Sequence, residues 1–346
     1  MGNTYFLGAN SQKGFYSLYG GFCADAGDRL SIIKGGPGTG KSGFMKKIAA
    51  EAEKRGYEVE RVLCSGAPDS LDGVYIPALK RGWVDGTAPH VTEPQHFGID
   101  GDYIELGSFC ALPIDDKDGK IARLYERYRQ MYSEAYGFIA AAESVGKSCT
   151  PTMIDPGNEA KLRRRVEALI EHHGTASVRG KRRLRFYRAL SSKGDIRLSG
   201  EIEKLCSRII RIEDEWGTAD KALHAAADAA WRLGHEHIIS LSPAAPEMYE
   251  AVLLPGLDLA FTCEAFTFDT VQCIYPESDA DKEKLKEGRR LVREGMKMKE
   301  KLSSFALERL YEANRLHDEL EKYYIEKMDF AALDEFTEGY IEKLFG

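Results

Sequence analysis

The stretch "KGGPGTGKSG", Lys34–Gly43, follows the apolar run Leu30, Ile32, Ile33 and precedes a predicted helix, Lys41–Arg55, that Gly56 closes. Within it Gly35-x-x-x-x-Gly40-Lys41-Ser42 is a phosphate-loop pattern. The chemistry needs these residue types. Glycines let the main chain curl into a nest whose N–H groups converge on one anion. Side chains at Gly36, Gly38 or Gly40 would crowd that anion, and the helix that follows aims its positive end into the nest. Lys41 then reaches the β- and γ-phosphates and the Ser42 hydroxyl ligates Mg²⁺. The predicted contact set is Gly35, Gly36, Pro37, Gly38, Thr39, Gly40, Lys41, Ser42 and Gly43.

A second protein oxygen for Mg²⁺ is expected at a neighbouring strand end. Asp85 in "LKRGWVDGT" fills that place, with Asp69 and Asp72 in "APDSLDG" as competitors or ordinary turn residues. A group that positions water is less clear. Asp85 is followed by Gly86, so Glu105 near the next strand end and His90 in "DGTAPH" are the candidates. No Asn-Lys pair for guanine recognition occurs, which favours ATP over GTP.

The chain also repeats. At a shift of 178, Ala49–Leu79 matches Ala227–Leu257 at ten of 31 positions without a gap, "APDSLDGVYIPAL" against "APEMYEAVLLPGL" being the clearest piece. Upstream, "FLGANSQKGFYSL" pairs with "FYRALSSKGDIRL" at a shift of 180. Each half therefore holds one unit. In the first, strands are expected at Tyr5–Gly8, Leu30–Ile33, Glu58–Cys64, Gly82–Asp85 and Tyr103–Leu106, with a loop and short turn between the third and fourth. Helices are expected at Ile121–Ser144 and Glu159–His172, and in the second half over Asp279–Met328 and Ala332–Phe345. The apolar stripe Leu302, Phe305, Leu310, Ala313, Leu316, Leu320, Tyr323 reads as intramolecular packing, with coiled-coil pairing to another chain as the rival. The expected fold is α/β: two tandem P-loop NTPase-like βαβ domains with mainly parallel sheets, residues 1–174 and 175–346, each followed by a helical tail.

The second loop, "IEDEWGTADK" (Ile212–Lys221), is degenerate. At the 178 shift Gly35, Gly36 and Pro37 become Glu213, Asp214 and Glu215, Lys41 becomes Ala219, Ser42 becomes Asp220 and Asp85 becomes Cys263. One further residue of shift puts Asp220 on Lys41 and Lys221 on Ser42. In either register carboxylates stand where phosphate would lie, and like charges ~4 Å apart repel by ~4 kcal/mol at an effective dielectric near 20.

Bulk properties narrow the classes. The 346 residues carry 48 Lys and Arg against 55 Asp and Glu, a net −7, which argues against a general nucleic-acid or anionic-membrane binder. Residues 161–193 are the exception, with eleven basic side chains against Glu167 and Glu171, a net +9. A basic linker is the plain reading. An arginine finger from Arg179–Arg188, or single-strand binding by "RGKRRLRFYR", are the sharper ones, and nucleic acid is disfavoured. The seven scattered cysteines form no C-x-x-C pair. No signal peptide, spanning run or myristoylation pattern (Phe6 stands at the Ser/Thr position) is seen, so a cytoplasmic protein without membrane insertion is expected. His235 and His237 share one side of a strand and read as structural.

"GANSQKGFYS", "IKGGPGTGKS", "CSGAPDSLDGVYIPAL" and "DGTAPH", followed by a helical tail and a second similar half, resemble a family of bacterial tandem P-loop proteins known only as ATP-binding proteins or ATPases. The resemblance covers nearly the whole chain and implies ATP and Mg as ligands. It also implies a second working loop, from which this chain departs at Glu213–Asp220. The expected function is a slow Mg-ATPase whose second half regulates, docks a protein partner, or pairs with the first as an intramolecular pseudo-dimer. The alternatives are a small-molecule or nucleotide phosphotransferase (kinase), with Arg123, Arg127 and Arg129 clamping a phosphorylated acceptor, and a non-catalytic ATP-gated scaffold.

Overall fold

The computed structural model describes residues 2–88, 92–94, 96–149, 156–176, 178–213, 219–263, 265–268, 272–275 and 282–346. The first half runs β1 (Thr4–Phe6), β2 (Gly8–Ser11), β3 (Gly14–Ser17), β4 (Arg29–Lys34), α1 (Lys41–Lys54), β5 (Glu60–Leu63), β6 (Leu71–Ile76), β7 (Arg81–Asp85), β8 (Gly101–Glu105), α2 (Lys120–Cys149) and α3 (Pro156–Glu171). The second runs β9 (Arg182–Arg185), β10 (Arg188–Ser191), β11 (Gly194–Arg197), α4 (Ser199–Leu205), β12 (Arg208–Ile212), α5 (Ala219–Arg232), β13 (His237–Leu241), β14 (Tyr249–Leu254), β15 (Leu259–Cys263), β16 (Gln272–Ile274), α6 (Lys282–Ile325) and α7 (Phe330–Phe345).

The protein is α/β, with two mixed six-stranded sheets of the same topology. Their orders are β1-β5-β6-β7-β4-β8 and β9-β13-β14-β15-β12-β16. In each, three pairings are parallel and the two made by β6 or β14 are antiparallel. That antiparallel strand, Leu71–Ile76, stands where a loop with a short turn is expected from sequence. "LDGVYI" alternates poorly and carries Asp72 and Gly73, yet it is buried on both faces between two strands, so tertiary pairing overrides local propensity. The repeat extends to irregularities. A register shift falls between Val62 and Leu63 and again between Ser240 and Leu241. Lys80 and Asp258 both take a left-handed conformation after a short Pro-led turn.

Each loop-following helix covers one sheet face. Phe44, Met45, Ile48, Ala49 and Ala52 of α1 meet Ile33, Val74, Ile76 and Trp83. The alanine-rich face of α5 meets Ile210, Ile212, Val252 and Phe261. The opposite sheet faces, including Leu30, Ile32 and Val84 from one and Ile209, Leu253 and Ala260 from the other, share one further cluster.

The terminal helices are exchanged between the halves. Helix α7, at the end of the second half, packs on α1, through Phe44 against Phe336 and Tyr340, and Trp83 Nε1 donates to Tyr340 Oη at 2.9 Å. Helix α3, at the end of the first half, packs on α5 through Leu162, Val166 and Ile170, with Arg163–Asp228 at 3.2 Å and Arg232–Glu171 at 3.0 Å at its edge. The crossing is made by α2 and α6, which lie antiparallel. Tyr125 meets Tyr324 at one end and Glu143 meets Lys299 at the other. The stripe on α6 is thus spent inside the chain, on α2. Among the described residues no helix is long and apolar enough to cross a membrane.

Contacts between the halves come in reciprocal pairs, as across an isologous interface. Phe6 N–H donates to Phe186 O (2.9 Å) and Phe186 N–H to Phe6 O (3.0 Å). Gln12 N–H donates to Ala244 O (2.8 Å) and Ser192 N–H to Gly66 O (3.1 Å). Lys13 pairs with Glu247 (3.3 Å) and Lys193 pairs with Asp69.

Candidate functional site

Strand β4 lies next to the edge of its sheet, with β7 and the edge strand β8 parallel on either side. Register places Ile33 beside Asp85 and Lys34 beside Glu105. The C-terminal ends of three neighbouring strands therefore converge where the chain leaves β4 for the loop Gly35–Gly40. Two glycines there are needed for conformation. Gly38 (φ 68°) and Gly40 (φ 84°) are left-handed, and Gly40 caps α1 in that state. Helix α1 starts at Lys41 with no acidic residue in its first turn, so nothing on the helix itself cancels the positive end.

Lys41 Nζ donates to the carbonyls of Gly35 (3.0 Å) and Gly36 (2.8 Å) and lies 3.7 Å from Asp85 Oδ2. Both side chains are mostly buried, at 11% and 15% exposure, so their attraction is poorly screened by solvent. The other oxygen of Asp85 accepts from Thr87 N–H (2.9 Å) and Oγ1 (2.6 Å), which fixes the carboxylate toward Lys41. Thr39 Oγ1 braces the loop by donating to Gly36 O at 2.9 Å. Ser42 Oγ accepts the Leu71 N–H at 2.9 Å, tying the first turn of α1 to the start of β6.

The other candidates lie apart from this cluster. Asp69 is exposed and pairs with Lys193, and Asp72 is buried and accepts from Tyr19 Oη at 3.0 Å. Glu105 reaches the rim, where its Oε1 accepts the Gly107 N–H at 3.0 Å. His90 lies outside the described residues. Arg123, Arg127 and Arg129 are exposed on the first turns of α2, and Arg123 donates to Asp118 O at 2.8 Å.

The arginines of Arg179–Arg188 are engaged elsewhere. Arg179 stacks on Trp231 (4.0 Å), with Arg182 near the same ring, and Lys181 and Arg183 pair with Asp25. Arg185 is buried on Glu60 (2.8 Å) and Tyr5, and Arg188 is held between Asp195 (2.6 Å) and Glu250 (2.7 Å). Burial pushes the Glu250 carboxyl up in spite of Arg188. Each of these arginines thus has a structural partner away from Gly35–Ser42. His235 Nε2 bonds to Gly174 O and His237 Nδ1 to His235 O, both main-chain contacts.

The second half answers the question of register. Asp220 Oδ1 accepts the Tyr249 N–H at 2.7 Å, as Ser42 Oγ accepts that of Leu71, so Asp220 is the counterpart of Ser42 and Ala219 of Lys41. Ile212 lies beside Cys263 in the sheet as Ile33 lies beside Asp85. Between these anchors the second loop is one residue shorter. Glu213 is therefore opposite Lys34 rather than Gly35, and it pairs with Arg211 of its own strand. Cys263 Sγ accepts the Ala265 N–H as Asp85 accepts that of Thr87, with no charge to offer. Residues 214–218, on which the expectation of clustered carboxylates falls, lie outside the described residues.

Sequence reading missed the residues that lie on the first loop. They come from the end of α6. Glu321 Oε1 accepts the Gly38 N–H at 3.2 Å. A Cβ at Gly36 would stand 2.8 Å from the Tyr324 ring, and one at Gly38 2.9 Å from Ile325. No sequence signal marked them, since Glu321 sits off the apolar stripe and some 280 residues from the loop it touches.

No protein-family model matches the chain, and neither a curated protein nor a solved structure matches it.

Proposed function

We propose that the chain is a Mg-ATP-binding P-loop protein that hydrolyses ATP slowly through its first half, the second half serving as a regulatory or docking copy within an intramolecular pseudo-dimer. One observation carries this reading. A glycine nest at a helix N-terminus holds Lys41 beside a strand-end carboxylate, Asp85, while the same positions of the duplicate are Ala219 and Cys263. Ser42 and Asp85 supply a hydroxyl and a carboxylate, hard oxygen donors of the kind Mg²⁺ takes, and these two would hold it. The ion would supply charge neutralisation between β- and γ-phosphates. Lys41 would leave its loop carbonyls for phosphate oxygens, and the α1 amides would hold the rest of the phosphate tail.

The test is an ATP titration with phosphate release in parallel. Lys41→Ala is expected to lose at least tenfold in affinity, from about 1.5–3 kcal/mol for a hydrogen bond to a charged group, and all turnover. Equal binding by the variant would overturn the reading. Tight binding without phosphate release would favour the ATP-gated scaffold.

A further inference from the structure

The end of α6 and the start of α7 lie on the glycine nest itself. Glu321, from the second half's tail, already occupies the Gly38 N–H with a carboxylate oxygen. Tyr324 fills the space before Gly36, Ile325 that before Gly38, and Leu333 lies against Gly40. Lys41 meanwhile is turned back onto the carbonyls of Gly35 and Gly36. A nest N–H that holds a carboxylate cannot also hold a phosphate oxygen, and the two anions repel.

We propose that Glu321 and Tyr324 form an internal latch that competes with nucleotide for the loop, so that polyphosphate enters only as the end of α6 withdraws. The proposal rests on the nucleotide reading above and specifies how that site is regulated. It also gives the second half a task. Helix α6 runs from the latch along α2, joined to it by the Tyr125–Tyr324 hydrogen bond at 3.0 Å near the loop and by Glu143–Lys299 at 2.9 Å far from it. Along the way it lies beside Ser192 and Gly194 around the β10–β11 hairpin of the second half. Withdrawal of Glu321 therefore moves a rigid rod seated on that half, and by reciprocity a partner that pulls on α6 changes the nucleotide affinity of the loop. Among the described residues, Glu321 is otherwise approached by His317, one turn earlier on the same helix at 3.8 Å.

The experiment is calorimetric titration of the full chain with Mg-ATP for wild type, Glu321→Ala, Tyr324→Ala and Lys41→Ala, with hydrogen exchange followed over residues 317–334. Glu321 is about one-third exposed, so its truncation leaves the fold intact, which the melting curve checks. Glu321→Ala and Tyr324→Ala are each expected to bind at least about fivefold tighter than wild type, the lower end of ordinary coupling. ATP is expected to speed exchange at 317–330 in wild type. Equal affinity in wild type and both variants, or unchanged exchange on binding, overturns the latch and leaves the nucleotide reading standing. Weaker binding by Glu321→Ala makes Glu321 part of the site and also overturns the latch. No binding by any of the four chains overturns both.

Discussion

Asp220 and Ser42 make the same main-chain tie with different side chains. Both accept a main-chain N–H from the start of the antiparallel strand, β14 for Asp220 and β6 for Ser42, at 2.7 and 2.9 Å. That bond ties the first turn of the helix to the sheet, and a hydroxyl or a carboxylate can make it. Asp220→Ala is therefore expected to destabilise the protein by about 1.5–3 kcal/mol, the worth of a hydrogen bond to a charged group, while Asp220→Ser recovers most of it. Urea midpoints for the two variants check this, and equal losses would contradict it. Lys41 and Asp85, which folding brings to 3.7 Å, could be picked out from sequence because local order marks them, a lysine after a glycine loop and a carboxylate at a strand end. Glu321 could not be, because only folding brings α6 to Gly38.

At the scale of elements the finding is the exchange of α3 and α7. Periodicity predicts both helices but assigns each to the half that precedes it, whereas each covers the other half's loop-following helix. The cause is the antiparallel α2–α6 pair. Two long helices that bury their stripes on each other carry the next segment across to the far unit. Leu333 of α7 is buried against the first-half core, 4% exposed. Leu333→Ala is expected to cost about 2–5 kcal/mol, as large-to-small core changes do. The loss should also perturb the environment of Trp83, whose indole N–H is held by Tyr340 of the same helix. Denaturation followed by tryptophan emission reads both, and a cost below ~1 kcal/mol would mean that α7 is not part of that core. The β6 strand was missed for a related reason. Its residues carry a weak strand signal, and its place between β5 and β7 supplies the rest.

At the scale of the molecule, the halves are held by reciprocal contacts, of which Lys13–Glu247 and Lys193–Asp69 are the charged pair of pairs. Glu247 is held down at about 2. Its partial burial pushes it up, but hydrogen bonds from Lys147, its own main chain and Lys13 outweigh that. A carboxylate lowered from the ordinary 4.5 stabilises the folded chain above that value, and the contribution disappears as pH falls toward 2. The melting temperature of wild type is thus expected to exceed that of Glu247→Gln at pH 6, with the gap closing between about pH 4.5 and 2. A gap that stays constant through this range would show that Glu247 acts by packing rather than by charge.

Sequence by itself was enough to determine two repeated α/β units, one intact glycine loop with Lys41, Ser42 and Asp85, and a second loop without those groups. Local order and spacing encode these, and a shift of about 178 residues exposes the repeat. Tertiary structure alone decided the antiparallel third strand, the exchanged helices, the one-residue shortening of the second loop, and the carboxylate of Glu321 on Gly38. Each depends on which distant surfaces find the largest shared burial, and that is a property of the folded chain rather than of any window along it.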